Sequence, residues 1–185
     1  MFHTSVKGHD LVFKTDPKLF SPYSVDAGTA AMLSIVEFSP GQRVLDLGCG
    51  YGVVGIAAAK TVGDHNVVMV DRDPLAVEYT LINARLNDVC GVRVYESNGL
   101  ADFDETNFDL ILSNPPYHVD FSVPKSFIEK GFNRLLVGGK MYMVTKRDKW
   151  YRNKLLAIFG GVQVKEVDGY FIFMAEKRST QYAKK

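Results

Sequence analysis

The segment Asn114-Pro115-Pro116-Tyr117 has the side chains and carbonyls best suited to a chemical role. It follows an apolar run with strand character, Phe108–Ser113. The side-chain oxygen of Asn114 and the carbonyl of Pro115 could accept the two hydrogens of a planar –NH₂ group, and the prolines would fix the backbone that aims them. Tyr117 offers a flat face on which a ring carrying that amine could stack. Such acceptors would stabilise the positive charge that develops when the nitrogen attacks a methyl group.

A glycine-rich loop, Gly48–Gly52, follows the strand-like run Val44–Leu47 and precedes a helical pattern. Glycines here let the backbone turn sharply and approach a ligand at the start of the helix. The next strand ends at Asp71, 21 residues after Gly50, where a carboxylate can accept both hydroxyls of a ribose. The acidic side chain of Asp46 would repel a pyrophosphate and favours a ligand with a positively charged methionine end. Alternatively, Asp46 is a buried acid whose carboxylate accepts hydrogen bonds from backbone N–H groups.

Strand-like and helical patterns alternate along most of the chain. The strand-like runs are Arg43–Leu47, Val67–Asp71, Val92–Tyr95, Phe108–Ser113 and Lys140–Thr145, and the helical segments are Val53–Lys60, Pro74–Asn87, Phe127–Leu136 and Trp150–Phe159. This alternation predicts an α/β fold with a mostly parallel sheet and helices on both faces. Only Asp168 separates the last strand-like runs, Val162–Val167 and Gly169–Ala175, which predicts a hairpin and an antiparallel strand near the sheet edge.

The composition is that of a globular protein, with 185 residues of which 46% are hydrophobic and 23% charged. No apolar run reaches the roughly 18–20 residues that a membrane span needs. The two cysteines, Cys49 and Cys90, lack metal-ligand spacing, and free thiols are typical of the cytosol. We therefore expect a cytoplasmic protein that binds neither membrane nor metal. A single domain over residues 1–185 is expected, with an N-terminal segment and helix (1–40), a core (41–178) and a basic tail (179–185), in which Gln181–Lys185 is expected to be mobile.

The charge is unevenly divided between the two parts of the chain. Residues 1–113 carry 8 Lys+Arg and 15 Asp+Glu (net −7), whereas residues 114–185 carry 14 and 6 (net +8). Within the basic part, the stretch 146–154 interleaves cations with two aromatic residues. Lys146, Arg147, Lys149 and Trp150 could bind phosphates and stack on a displaced base. Alternatively, this stretch is an amphipathic helix whose aromatic residues lie partly in the core.

The glycine loop, Asp71 and the Asn-Pro-Pro-Tyr segment, in this order, resemble the class I S-adenosylmethionine (SAM)-dependent methyltransferases of the small-domain group. Within that group the chain is most similar to the guanine-N2 methyltransferases that modify small-subunit ribosomal RNA. His118 after Tyr117 agrees with this subgroup, and Asn98 matches its adenine-contacting position. The segment that contains Phe20 and 26–29 is similar to the one that covers the cofactor there.

The resemblance implies a Rossmann-like fold with a seven-stranded sheet, SAM as cofactor, and ribosomal RNA or the small ribosomal subunit as partner. It implies four catalytic residues, Asn114, Pro115, Pro116 and Tyr117, and substrate contacts from Tyr117, His118 and the basic stretch. The implied cofactor contacts are Phe20, Asp26, Gly28, Thr29, Asp46, Gly48, Cys49, Gly50, Gly52, Asp71, Arg72, Asn98, Gly99 and Asn114. Bacterial guanine-N2 enzymes often carry a second, degenerate domain ahead of the catalytic one, and the sequence shows none. The RNA site therefore stays open.

Two other functions remain compatible with the sequence. Methylation of a glutamine side chain in a protein release factor would use the same motif, since that target is also a planar –NH₂ group. A NAD-binding oxidoreductase, or a SAM-binding module without catalysis, belongs to a different class. The missing substrate domain and the C-terminal hairpin disfavour an oxidoreductase, and the complete Asn-Pro-Pro-Tyr segment disfavours a silent binder.

Overall fold

The computed structural model describes residues 1–116 and 120–184. Its elements in chain order are β1 (Phe2–Val6), β2 (His9–Phe13), α1 (Ala27–Ile35), β3 (Val44–Leu47), α2 (Val53–Val62), a 3-10 turn (Asp64–Asn66), β4 (Val67–Asp71), α3 (Pro74–Leu86), β5 (Arg93–Glu96), β6 (Phe108–Ser113), α4 (Ser122–Arg134), β7 (Leu135–Thr145), α5 (Lys149–Phe159), β8 (Gln163–Val167) and β9 (Tyr170–Glu176). In this part of the chain, no helix combines the length and apolarity that crossing a membrane would require.

The main sheet has seven strands in the order β5-β4-β3-β6-β7-β9-β8. The first five are parallel to one another, whereas β9 is antiparallel to both β7 and β8. The predicted α/β fold, with a mostly parallel sheet and an antiparallel C-terminal hairpin, is therefore confirmed. Because the carboxyl ends of parallel strands share one edge, the segments that follow β3, β4 and β6 lie close together.

The central strands are apolar along their length because helices cover both faces of the sheet. Val44 packs in the cluster formed with α1, α2 and α3, whereas Leu45 and Leu47 pack in the opposite cluster with Phe127 and Ile128 of α4. This alternation turns the Asp46 side chain towards α2, where its carboxylate accepts a hydrogen bond from a backbone N–H.

Two predicted boundaries differ from the structure at the junction of α4 and β7. The helix predicted over Phe127–Leu136 spans Ser122–Arg134, and the strand predicted from Lys140 begins at Leu135. The pairing explains the longer strand: Phe108 lies opposite Leu135 but Leu110 lies opposite Lys140, so extra residues bulge out of β7. Gly138 has a φ of 91° within this bulge, which gives the segment the sequence character of a loop.

A two-stranded hairpin, β1–β2, precedes the main sheet and was not predicted from the sequence. Two buried asparagines hold it by using both ends of their side-chain amides: Asn83 in α3 and Asn87, which caps the C-terminus of α3. Asn83 accepts from the Lys14 N–H (2.7 Å) and donates to the carbonyls of Lys14 and Tyr51 (both 2.9 Å). Asn87 likewise accepts from the Val12 N–H (3.0 Å) and donates to the Val12 carbonyl (2.7 Å). These amides pair with the backbone of β2 and the residue after it much as a neighbouring strand would.

Tyr182, Ala183 and Lys184 of the C-terminal tail contact α4 and α5. The N–H groups of Ala183 and Lys184 donate to the carbonyls of Ile158 and Ala157 (both 3.0 Å). The ring of Tyr182 lies edge-on to Phe132, with 5.1 Å between ring centroids. These contacts place residues 182–184 beside the last turns of both helices.

We expect Asn83→Ala to lower the free energy of unfolding by roughly 2–4 kcal/mol, because it leaves buried backbone groups of the Lys14 segment without partners. Urea denaturation measures this loss. Arg85→Ala, at an exposed position of the same helix, is the control and should change the value by less than about 0.5 kcal/mol. Equal effects of the two substitutions would contradict a specific role of Asn83.

Candidate active site

Two adjoining cavities lie at the carboxyl ends of β3, β4 and β6. The smaller has a volume of about 60 Å³ and the larger a volume of about 340 Å³. Phe20, Gly48, Gly50 and Asn114 line both, so the two form one continuous recess. The structure therefore brings together the glycine loop, the end of β4 and the segment after β6, as the sequence predicts.

The predicted cofactor residues divide between these cavities. Those that line only the smaller cavity are Asp26, Thr29, Asp46 and Cys49, and those that line only the larger are Asp71, Arg72, Asn98 and Gly99. Pro115 and Pro116 also line the larger cavity. The order of these residues around the recess suits an elongated ligand, with one end near Asp46 and the other near Asn98.

Asp46 forms part of the wall of the smaller cavity and is only 3% exposed. Its Oδ2 accepts a hydrogen bond from the Gly55 N–H (2.9 Å). The pKa of the Asp46 carboxyl is raised from 3.8 to about 7, mainly by burial. The Gly55 hydrogen bond lowers this pKa, and the negative charge of Asp71 makes a smaller contribution that raises it. A cationic group entering the cavity would favour the ionised carboxylate. Asp46 thus accepts a hydrogen bond from the backbone and also lines the smaller cavity, so both roles considered from the sequence are compatible.

Asp71 connects the end of β4 to the glycine loop. Its Oδ2 accepts from the Gly50 N–H (2.8 Å), and its Oδ1 accepts from the Asp73 N–H (3.0 Å). Burial raises the pKa of the Asp71 carboxyl above its usual value. The helix cap is supplied separately by Asp73, whose side chain accepts from the Leu75 N–H (2.9 Å), as Pro74 at the start of α3 predicts. A carboxylate has about four acceptor sites, so Asp71 can still receive ligand hydroxyls.

Phe127 of α4 forms an apolar wall of the larger cavity, which sequence reasoning did not identify. Its ring lies against the glycines of two loops: a Cβ on Gly99 would come within 3.0 Å of Phe127 Cε1, and one on Gly48 within 4.0 Å of Cε2. Gly99 has a φ of 60°. Val123 lies one turn before Phe127 on the same wall. The detectable signal was an apolar pair at helical spacing directly after the proline motif.

The Asn114 amide has a fixed orientation at the start of the segment after β6. Its Nδ2 donates to Asp26 Oδ2 (2.8 Å) and to Thr29 Oγ1 (3.0 Å). The same oxygen of Asp26 accepts from the Thr29 N–H (2.9 Å) and caps α1. Asp26 and Thr29, predicted as cofactor contacts, therefore line the cavity and also position the side chain of Asn114.

The segment around Phe20, which we predicted to cover the cofactor, is anchored by hydrogen bonds to its backbone. The side chain of Phe20 is 61% exposed and lines the mouth of the larger cavity. The Tyr51 hydroxyl donates to the carbonyls of Ser21 (3.0 Å) and Ser24 (3.1 Å). The Thr15 hydroxyl donates to the Pro22 carbonyl (2.6 Å). This segment is therefore held in place beside the recess in the structure.

Several predicted residues lie elsewhere or outside the described part of the chain. Gly28 is buried in the first turn of α1, and Gly52 caps α2 with a φ of 99°, where a Cβ would come within 3.0 Å of Ile56 Cδ1. Neither glycine lines the two cavities, and close packing explains the glycine at position 52. Tyr117 and His118 lie outside the described residues, so their predicted roles stay predictions.

The predicted substrate-binding residues Lys146, Arg147, Lys149 and Trp150 lie after β7 and at the start of α5, outside the cavity walls. Two neighbouring cations are neutralised, because Arg152 pairs with Asp148 and Lys154 pairs with Glu129.

The two aromatic residues of this stretch have different environments. Tyr151 is buried in the core, and its ring stacks on Phe173 with 5.9 Å between centroids. Trp150 is only half-buried and stacks on the exposed Phe121. Tyr151 therefore agrees with the interpretation of this stretch as an amphipathic helix with an aromatic residue in the core. Trp150 agrees with the alternative, a basic surface with an accessible aromatic ring.

Relatives of this chain are similar over most of its length. An uncharacterized protein of Bacillus subtilis, YbxB, is 30% identical over 93% of this chain and 89% of its own length. Ribosomal RNA small subunit methyltransferase C of Pseudomonas putida is 31% identical over 87% of this chain and 49% of its own length. Ribosomal RNA large subunit methyltransferase G of Pseudomonas entomophila is 34% identical, with coverages of 86% and 44%. The chain thus spans about half the length of these named ribosomal RNA methyltransferases.

A solved structure with the same fold is the T. thermophilus 16S rRNA N2 G1207 methyltransferase in complex with AdoMet and guanosine. Its TM-score is 0.85 at 29% identity, over 96% of this chain and 50% of that one. The fold and the recess define a Rossmann-like protein of the class I methyltransferase type. The chain belongs to the methyltransferase small domain family, whose sequence profile matches residues 10–174. The family resemblance stated from the glycine loop, Asp71 and the Asn-Pro-Pro-Tyr segment is confirmed.

The buried Asp46 should make stability fall as the pH rises. Because the folded-state pKa of about 7 exceeds the usual value of 3.8, the folded protein binds more protons than the unfolded chain between these pH values. Relative to Asp46→Asn, the wild type should therefore lose roughly 2–4 kcal/mol of unfolding free energy between pH 4 and pH 8. Urea denaturation of both proteins across this range measures the difference. Parallel stability curves would contradict the raised pKa.

Proposed function

We propose that this chain transfers a methyl group from SAM to the exocyclic N2 amine of guanine in ribosomal RNA. The observation that carries the proposal is the fixed orientation of the Asn114 amide at the recess. Its nitrogen donates to Asp26 and Thr29, so the amide oxygen is the atom that can accept a hydrogen from a target amine. The carbonyl of the buried Pro115 supplies the second acceptor of the motif.

The donor set of the recess fits SAM. Asp71 can accept the ribose hydroxyls, Asn98 can contact the adenine edge, and the Phe127 ring gives the base an apolar wall. The carboxylate of Asp46 suits the ammonium group of the methionine end and would repel a pyrophosphate. When bound, SAM supplies an electrophilic methyl group on a positively charged sulfur.

The residues of the chain solve the problem of a weak nucleophile. The lone pair of an exocyclic amine is delocalised into the ring, so the nitrogen is a poor nucleophile in its planar form. Hydrogen bonds from the amine to Asn114 Oδ1 and the Pro115 carbonyl favour a tetrahedral nitrogen and stabilise its developing positive charge. Bound SAM would supply the methyl group that the nitrogen receives, with S-adenosylhomocysteine as the co-product, and the extra proton on the methylated nitrogen would pass to solvent. No base has to remove that proton before the attack.

The relatives support RNA as the substrate class. The names of two relatives describe them as methyltransferases of small-subunit and large-subunit ribosomal RNA. The similar solved structure is that of a 16S rRNA N2 methyltransferase in complex with guanosine. Small-subunit RNA is the substrate that the sequence resemblance favours. Because both subunits occur among the relatives, the test below includes both.

Transfer of a radiolabelled methyl group from SAM tests the function directly. Small and large ribosomal subunits, their free RNA and a protein extract are offered in parallel, and labelled RNA is digested to nucleosides. We expect the label in N2-methylguanosine. Asn114→Ala should lower kcat by roughly 10²–10³-fold, because an acceptor for the developing charge is lost, while leaving the affinity for S-adenosylhomocysteine within a few-fold.

Gln163→Ala, which removes an exposed side-chain amide from the outer strand β8, is the matched control and should keep full activity. Label in protein with blank RNA would replace the proposal by glutamine methylation. Loss of S-adenosylhomocysteine binding in Asn114→Ala would assign Asn114 to the cofactor instead of the amine.

Asp26→Ser should separate the two tasks of Asp26. A serine can still cap α1, so we expect the melting temperature to change little. The shorter side chain does not reach Asn114, and the misplaced amide should lower kcat roughly tenfold or more. Asp26→Asn keeps an oxygen for both hydrogen bonds and should retain most activity. Wild-type kcat in the serine variant would show that Asp26 does not position Asn114.

A further inference from the structure

We propose that Phe121, Trp150 and Arg147 form a stacking platform for an unpaired nucleotide that flanks the target guanine. The inference rests on the proposed function and deepens it, because it requires an RNA substrate with at least one unpaired base beside the methylated one. Phe121 gives the platform its exposed ring. This residue is not among the substrate contacts that the sequence predicts.

The platform consists of two parallel rings and a guanidinium group. Phe121 and Trp150 stack with 4.4 Å between ring centroids and 17° between their planes. The guanidinium carbon of Arg147 lies over the Phe121 ring at 5.1 Å from its centroid. Phe121 is 37% exposed, and Trp150 is half-buried. Planar groups of this kind stack on nucleobases whatever their sequence, because every base has a π-face.

The core supports these rings from below. Trp150 meets Tyr151 edge-on at 5.2 Å, and Tyr151 stacks on Phe173 of β9 at 5.9 Å with 17° between the planes. Tyr151 and Phe173 are 3% and 0% exposed. A continuous row of aromatic rings thus runs from the buried face of β9 to the surface. A platform fixed in this way loses little side-chain freedom when a base binds.

The charges around the platform match a phosphate backbone. Lys149 is exposed and, in the part of the chain that the structure covers, forms no ion pair. Arg147 adds a second cation, whereas the ammonium of Lys146 lies over the Tyr170 ring at 5.0 Å. The neighbouring carboxylates are engaged, because Asp148 pairs with Arg152 and Asp120 accepts from the Ser122 N–H (2.7 Å). The net charge beside the rings is therefore positive, as binding to a polyanion requires.

The platform lies at the rim of the proposed active site. Phe121 is two residues from Val123 on the wall of the larger cavity, so their Cα atoms are at most about 7 Å apart. Trp150 follows β7, which pairs with β6 and ends at the same edge of the sheet. A base held on the platform would therefore be a neighbour of the guanine in the recess. A target guanine inside a duplex would have to leave the helix together with this neighbour. A target guanine in an existing loop would already be unpaired.

Binding of a fluorescein-labelled single-stranded RNA, one guanosine between uridines, tests the platform by anisotropy at low salt. Phe121→Leu keeps an apolar side chain but removes the ring, and we expect roughly tenfold weaker binding. Phe121→Tyr keeps the ring and should bind like the wild type. A merely structural role of Phe121 predicts no such split, provided that both variants match the wild type in melting temperature.

RNA with an abasic position on one side of the guanosine identifies the stacked nucleotide. The wild type should lose roughly tenfold in affinity for one of the two abasic RNAs, and Phe121→Leu should lose no more than a further twofold or so. Leu156→Ala removes an exposed apolar side chain from α5, the helix that carries Trp150, and Lys165→Ala removes an exposed cation from β8. Both controls should bind RNA like the wild type.

Equal RNA binding by Phe121→Leu and Phe121→Tyr, insensitivity of the wild type to both abasic RNAs, or no RNA binding by the wild type would each overturn the platform. The methyl-transfer assay reports on the proposed function separately. Ring-dependent RNA binding without label in RNA would sustain the platform and reject guanine methylation. Label in N2-methylguanosine, together with RNA binding that does not depend on the Phe121 ring, would sustain guanine methylation and reject the platform.

Discussion

The parallel pairing of β3 with both β4 and β6 is the constraint on which the recess depends. Val44 lies opposite Val67 on one side and Leu110 on the other, so the three strands end together. The glycine loop, the acid at the end of β4 and the amide after β6 therefore meet without any long connection. A shift of β3 by one residue would turn Asp46 to the opposite face of the sheet, because successive side chains alternate.

The sequence predicted the fold best where burial decides the pattern. The bounds of β4 and β6 agree with prediction because both strands are apolar and covered on both faces. The start of α4 was missed because Pro124 resembles a helix breaker, although it stands in the first turn, where a proline is tolerated. The β1–β2 hairpin has short, partly polar strands, and its support comes from α3, about 70 residues later in the chain.

Residues of the recess were predictable where a side chain or turn follows directly after a strand. Asp71 and the glycine loop have this local signal, since strand ends meet at one sheet edge. The role of Phe127 depends on the absence of a Cβ at Gly99, which lies nearly 30 residues earlier in the sequence and has no local signature. The second task of Asp26 was hidden for the same reason, because its partner Asn114 is 88 residues away. Long-range contacts of this kind leave no periodic pattern in the sequence.

The anchored segment that carries Phe20 has a consequence for the rate of ligand exchange. Its backbone is tied down by the hydroxyls of Thr15 and Tyr51, while the Phe20 ring is 61% exposed. The mouth of the recess can therefore widen by rotation of one aromatic side chain, without breaking those hydrogen bonds. Such rotations of exposed side chains take picoseconds to nanoseconds, whereas loop closure takes far longer. A mouth that widens in this way would place no slow loop movement before the entry or exit of a ligand.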